Sequence, residues 1–164
     1  ISGPNVARVD SLMLALFDSM DLRKDLFDFV NKQEARFRGS YTGNFDIFTG
    51  IAFDEILLIH AEASERLGNS STALRSLNRL LEKRILDFQE LEQSNVDNLL
   101  ERILEERRKS LVFRGQRWAD MKRLAFVDGR VFRTERLQDG ETAEFSGNLE
   151  DYQMRIPQRE LDFK

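Results

Sequence analysis

Residues 51–84 read IAFDEILLIHAEASERLGNSSTALRSLNRLLEKR, and the fold turns on how this stretch divides. Its first half carries Ile56, Leu57, Leu58, Ile59, Ala61, Ala63 and Leu67, which point in every direction around a helix. A helix apolar on all sides belongs between neighbours, in the interior. Gly68 and Asn69 follow as a stop, since both tolerate the left-handed backbone that closes a helix. Ser70 or Ser71 is placed to cap a second helix, in which Ala73, Leu74, Leu77, Leu80 and Leu81 recur on one face. Two helices joined by so short a connection pack antiparallel.

This pair resembles a tetratricopeptide unit. The small Ala61, the turn at Gly68 and the series Ala73, Leu77, Leu80 fall at matching offsets, with Ile85 where a terminal proline is expected. A second pair is predicted downstream, from about 95 to 113 and from 116 to 124, hinged at Gly115, with Ser94 and Asp97 resembling a capping box. Upstream, Val9, Leu12, Met13, Leu16, Phe17 and Met20 predict a helix from Pro4 to Met20. DLRKDLFDFVNKQ then reads as a short helix or a break into strand, and RFRGSYTGNFDIFTG as loop with extended pieces. After Phe126 the texture changes: Asp139-Gly140 between VFRTERL and ETAEF signals a β-hairpin, and the tail around Pro157 reads as extended. The expected fold is mainly α, of tetratricopeptide-like antiparallel helical hairpins, as one domain over 1–164. Its helical core covers about 4–126 and a β or extended appendage about 127–164.

The 164 residues are 41% hydrophobic and 33% charged, enough for one domain with a real core. Thirteen Phe against two Tyr and one Trp mark most aromatics as core filler. The net charge of −4 does not favour nucleic acid, and the lack of cysteine excludes disulfides and thiolate metal sites. The opening ISGPNVARVD has no initiator Met, basic n-region or apolar signal core, and reads as a processed or excised piece of a longer protein.

Residues 101–123, ERILEERRKSLVFRGQRWADMKR, hold eight basic and four acidic side chains. On a helix, Val96, Leu99, Leu100, Ile103 and Leu111 form one stripe with Arg107 in its middle, while Arg108 and Lys109 point away into solvent. A buried guanidinium needs a carboxylate, and Glu62 on the apolar helix needs a cation for the same reason. A Glu62–Arg107 pair tying the two hairpins together is therefore expected. The basic stretch reads as architecture, because it lacks a groove-reading motif and interleaved exposed aromatics.

Other residues offer little chemistry. His60 lacks ligands at i±3 or i±4 and reads as a structural, hydrogen-bonded imidazole. Asp54-Glu55 and Glu105-Glu106 are adjacent on helices and cannot oppose one another across a glycosidic bond. No nucleophile–base set, phosphate-cradling loop or dinucleotide fingerprint is present, so no catalytic residue, metal ligand or cofactor is assigned. Tyr41 and Phe45, in a glycine-rich loop, and Trp118 are the weak candidates for contact with a ligand.

In order along the chain, DLR at 21–23, ILLIHAEASERLGN, AL..LN.L, ERRKSLVFRGQRWADMKR and RIPQREL resemble the C-terminal signature blocks of the SusD/RagB family, outer-membrane nutrient-binding lipoproteins of Bacteroidetes. The chain departs from that pattern at Ser110 and Arg114, where the family usually has glutamates, and at His60, commonly arginine there; the closing Asn-Pro-rich tail is also missing. The resemblance implies a tetratricopeptide-like scaffold in which Glu62, Glu106, Arg107, Gly115, Arg117 and Asp120 serve structure. It also implies a non-catalytic role at the extracellular face of the outer membrane, capturing oligosaccharide or another nutrient for a SusC-like TonB-dependent transporter. The family's lipid-anchor cysteine is absent from this chain. The alternative is a tetratricopeptide-like scaffold for protein contacts, without a small-molecule ligand.

Overall fold

The computed structural model describes residues 8–29, 35–39, 41, 48, 50–138, 141–153 and 156–161. The chain forms two compact units, Ile1–Arg114 and Gly115–Lys164. The mainly helical, tetratricopeptide-like architecture expected from the sequence is present.

In the first unit, β1 (Arg8–Val9) leads into α1 (Ser11–Leu14), and β2 (Phe27–Phe29) and β3 (Ala35–Phe37) complete an antiparallel sheet of order β1-β3-β2. Val9 pairs with Ala35, and Phe29 with the same residue from the other side. The helix expected from Pro4 to Met20 is thus much shorter, and its start lies outside the described residues. Asp10 accounts for the difference: its carboxylate accepts from Leu12 N at 3.0 Å and so fixes the helix start. Val9, Met13 and Phe17 still share one face, but they pack as strand, helix and turn against Phe27 and Ala35. The following segment takes both of its expected forms, a 3-10 turn over Leu22–Leu26 capped by Asp21 and then β2.

The hairpin that decided the fold is α2 (Phe53–Arg66) and α3 (Ser70–Leu81). Gly68, at φ +77°, makes the turn. The cap of α3 is Asn69 and not a serine, because the Asn69 side chain reaches Thr72 N at 3.2 Å while Ser71 donates to that same oxygen. Ala61 and Ala73 are fully buried where the helices approach, among Leu58, Leu74, Leu77, Leu80 and Leu81. Next, α4 (Leu99–Ser110) adds Leu99 and Ile103 to that core. Asn98 caps α4, and Glu92 and Asn95 make the reciprocal bonds expected of Ser94 and Asp97. Asn78 clamps the α3–α4 connection by two bonds to the Leu91 backbone.

The α2 helix is not enclosed. Phe53, Ile56, Ile59 and Leu67 are exposed, as is His60. Only the side bearing Leu58, Ala61 and Glu62 is buried; α3 and α4 pack against α2.

In the second unit, α5 (Arg117–Asp128) packs Met121 and Ala125 against Tyr152, with Phe132 and Phe145 alongside. The hairpin β4 (Thr134–Gln138) and β5 (Glu141–Phe145) forms as expected, with Thr134 opposite Phe145; its Asp139-Gly140 turn lies outside the described residues. Gly147 is required where it stands: its φ is +78° and a Cβ would lie 2.5 Å from the Phe132 carbonyl oxygen. A 3-10 turn over Leu149–Tyr152 precedes α6 (Gln158–Leu161), so the tail after Pro157 is helical, the proline occupying the position before the first turn. No helix among the described residues is long and apolar enough to cross a membrane.

Candidate functional site

The first unit carries a buried charge cluster. Arg23 donates from Nε and Nη2 to both oxygens of Asp21 at 2.8 and 2.7 Å, from Nη2 to Glu106 at 2.7 Å and from Nη1 to Ser110 Oγ at 3.0 Å. The other Glu106 oxygen lies 2.5 Å from Lys109 Nζ and 2.9 Å from Arg102 Nη2. Lys109 is therefore buried, at 2% exposure, and not solvated as the helical wheel implied. Its position off the apolar stripe is real; what the wheel cannot see is Asp21, 3.9 Å away on a segment distant in sequence. Ser110 stands where a glutamate is usual in the resembled family, and here its hydroxyl closes the coordination of Arg23. The carboxylates of the cluster are engaged by its cations, and it serves architecture.

Beside it lies a depression of about 560 Å³, lined by Tyr41, Phe48, Phe53, Asp54, Arg79 and Lys83 among others. That volume lies within the range of small-molecule sites. A smaller hollow of about 200 Å³ shares Tyr41, Asp54, Lys83 and Arg84. The first turn of α2 presents Phe53 and Asp54, and the last turn of α3 and the residues after it present Arg79, Lys83 and Arg84.

Tyr41 donates its hydroxyl to Asp54, whose other oxygen accepts from Glu55 N at 2.8 Å. Burial, and then this bond, push the Tyr41 phenol above its ordinary value. Arg84 approaches Asp54 at 3.6 Å, an ion pair beyond hydrogen-bond length. Arg114 packs against two of the lining rings: its guanidinium lies over both the Tyr41 and Phe48 rings, at 5.2 and 5.0 Å, and donates to Gly50 O at 2.6 Å and to Glu55 at 3.2 Å. Asp54 and Glu55 thus have separate partners.

Of the weak ligand candidates, Tyr41 lines the depression and Phe45 lies outside the described residues. Trp118 belongs to the second unit, where its ring meets Phe145 at 5.2 Å and Tyr152 at 5.1 Å, leaving it 40% exposed. There too, Arg117 lies over the Phe132 ring, Asp120 accepts from Arg123 at 3.1 Å, and Gly115 has φ +72°. Glu62 and Arg107 are both buried, on α2 and α4, and Arg66 donates to Glu62 at 2.9 Å. His60 Nδ1 lies 2.8 Å from Ser76 Oγ. Among the described residues no group of three or more His, Cys, Asp and Glu could hold a metal ion.

Sequence reasoning missed Phe48, Phe53, Arg79, Lys83 and Arg84, and weighed Asp54 only as a catalytic carboxylate. Arg79, Lys83 and Arg84, spaced four and one apart at a helix end, were the available signal.

The family model of the SusD family matches residues 27–162. The chain belongs to the SusD family. Among solved structures, it is similar to a "Putative sugar binding protein" from Bacteroides vulgatus, with a TM-score of 0.67 and 24% identity. That alignment covers 93% of this chain and 36% of the other, so the chain spans about a third of that relative's length. Among curated proteins nothing matches. Within the SusD family the charge cluster gains a reading: Asp21 and Arg23 come from one resembled block and Glu106, Lys109 and Ser110 from another, and the fold brings them into one network.

Proposed function

We propose that this chain is part of a non-catalytic glycan-binding protein that holds oligosaccharide at the outer face of the outer membrane and passes it to a SusC-like TonB-dependent transporter. The observation that carries this reading is the family match over 27–162. It is supported by the likeness to the Bacteroides vulgatus protein and by a depression where aromatic rings adjoin charged side chains, the surface chemistry that sugars use. Binding without chemistry is also supported by the occupied carboxylates, since neither Asp54 nor Glu55 is disposed toward a second acid. Membrane attachment would come from a lipid anchor, as in the family. In this reading Glu62, Glu106, Arg107, Gly115, Arg117 and Asp120 serve structure, and Glu62 and Arg107 join α2 to α4. The test is affinity electrophoresis of the chain through gels containing individual polysaccharides, together with co-purification of a barrel transporter from outer membranes. Retardation by none of a broad polysaccharide panel would remove the glycan role.

A second reading, a tetratricopeptide-like scaffold for protein contacts, is favoured by one feature: the exposed Phe53, Ile56, Ile59 and Leu67 on α2. Capture of a defined protein partner, lost on substituting Ile56 and Ile59 with glutamate and insensitive to glycans, would favour it.

A further inference from the structure

We propose that the depression at the open end of the α2–α3 hairpin is a subsite for an acidic sugar, a pyranose bearing a carboxylate or a sulfate ester, with Arg79 and Arg84 holding the anion and Tyr41 and Phe53 meeting the sugar ring. The inference rests on the glycan-binding reading and narrows it to a ligand class.

The argument starts from which polar groups are still available. Asp54 is buried, and its oxygens are taken by the Tyr41 hydroxyl and Glu55 N. Glu82 is held by Lys83 at 2.9 Å. A neutral sugar is recognised by acceptors and donors in alternation, and here both oxygens of the buried acceptor, Asp54, are already engaged. The donors are not. Arg84 meets Asp54 only at 3.6 Å, and Arg79 meets the Phe53 ring at 5.0 Å. Among the described residues neither guanidinium donates a hydrogen bond. Each planar fork can therefore present paired N–H groups to a carboxylate or sulfate.

The second observation is the aromatic surface. Tyr41 and Phe53 are 42% and 57% exposed at the same depression, where burial against a pyranose face would remove apolar area from water. Tyr41 cannot swing freely, because Asp54 holds its hydroxyl and Arg114 lies over its ring. It is a fixed platform, which lowers the ordering cost of binding. The third is charge. The chain carries −4 overall, yet Arg79, Lys83 and Arg84 outnumber Asp54 and Glu82 around this one concavity, a local excess of positive charge and not bulk basicity.

The test is calorimetric titration of the whole chain with trigalacturonate, a sulfated galactan trisaccharide, the carboxyl-reduced neutral trisaccharide and inorganic sulfate. At least one acidic trisaccharide is expected to bind about tenfold more tightly than the neutral one and than sulfate alone, and Arg84→Met and Arg79→Met are each expected to weaken it about tenfold. Circular dichroism of Arg79→Met, which alters an exposed side chain, controls for folding. Equal binding of neutral and acidic trisaccharides would overturn the inference and leave the glycan reading standing. Inorganic sulfate binding as tightly as the sugars would reduce the site to an adventitious anion site and also overturn it. Acidic-sugar binding unaffected by either substitution would place the site elsewhere. If no carbohydrate of either charge binds and polysaccharide gels give no retardation, the inference and the glycan reading fall together.

Discussion

Each unit of the chain holds one described tyrosine, and the two live in opposite surroundings. Tyr41 is half-exposed among charges, its hydroxyl on Asp54 and its ring under Arg114. Tyr152 is 1% exposed among rings, with Phe145 at 4.9 Å and Trp118 at 5.1 Å, and no described residue accepts or donates at its hydroxyl. Around Tyr152 the rings satisfy one another. Around Tyr41 they stand beside cations at a concavity. Aromatic content alone therefore does not mark a binding surface; what marks it is whether the rings are spent on neighbours or left facing polar groups.

The largest effect concerns the foundation under the first region. Glu106 faces Arg23, Arg102 and Lys109 with no exposure, so Glu106→Ala leaves the buried Arg23 and Lys109 to share Asp21 as their one buried anion. Urea unfolding is expected to show a loss of about 3–5 kcal/mol. Trp118→Ala should come next, at about 2 kcal/mol by calorimetry, because a partly exposed ring with two ring partners is removed from the core of the second unit. It should leave glycan affinity unchanged, and a large loss of affinity would break the contrast drawn here.

A smaller effect is expected across the first unit's helices. A double-mutant cycle of Glu62→Gln and Arg107→Met should give a coupling of about 1 kcal/mol in urea unfolding; strictly additive losses would remove the proposed pair. The smallest effects sharpen the tyrosine comparison itself. Tyr41→Phe should cost about 1 kcal/mol, since Asp54 loses a donor, whereas Tyr152→Phe should be neutral or slightly stabilising. Burial raises both phenols above the ordinary value of 10, and for Tyr41 the Asp54 bond adds to the shift. The folded state thus holds these protons more tightly than the unfolded chain. Their contribution to stability is complete below pH 10 and drains away as the pH climbs beyond it through the raised values. Spectrophotometric titration should show little tyrosinate at the pH where free tyrosine is half ionised, and Tyr41→Phe should remove one of the transitions.

The helical hairpins were legible because their signals are local. Gly68, the leucine spacing of α3 and the Asp-Gly hairpin signal each act over a few residues. Periodicity also gave burial of Arg107, but it failed at Lys109 and at α2 for one reason. Burial off the apolar stripe depends on what arrives from elsewhere: Asp21 reaches Lys109, and nothing in the described first unit covers Ile56 or Ile59. The N-terminal helix was overdrawn because its apolar spacing suits a helix, yet the Asp10 cap and pairing with β3 divide that face among three kinds of backbone. The depression was invisible because its walls come from Tyr41, the start of α2 and the end of α3, and no motif spans them. Only Tyr41 was chosen in advance, on loop chemistry.

The bond from Arg23 to Glu106 joins residues 83 positions apart. Inheritance is where that matters. Residues 21–23 look like a disposable leader to the hairpins, yet a recombination event or an expression boundary that drops them would leave the buried acid and amine of α4 with partners from α4 alone. The two segments must travel through evolution as one piece, and any excised helical module that keeps α4 needs to begin before Asp21.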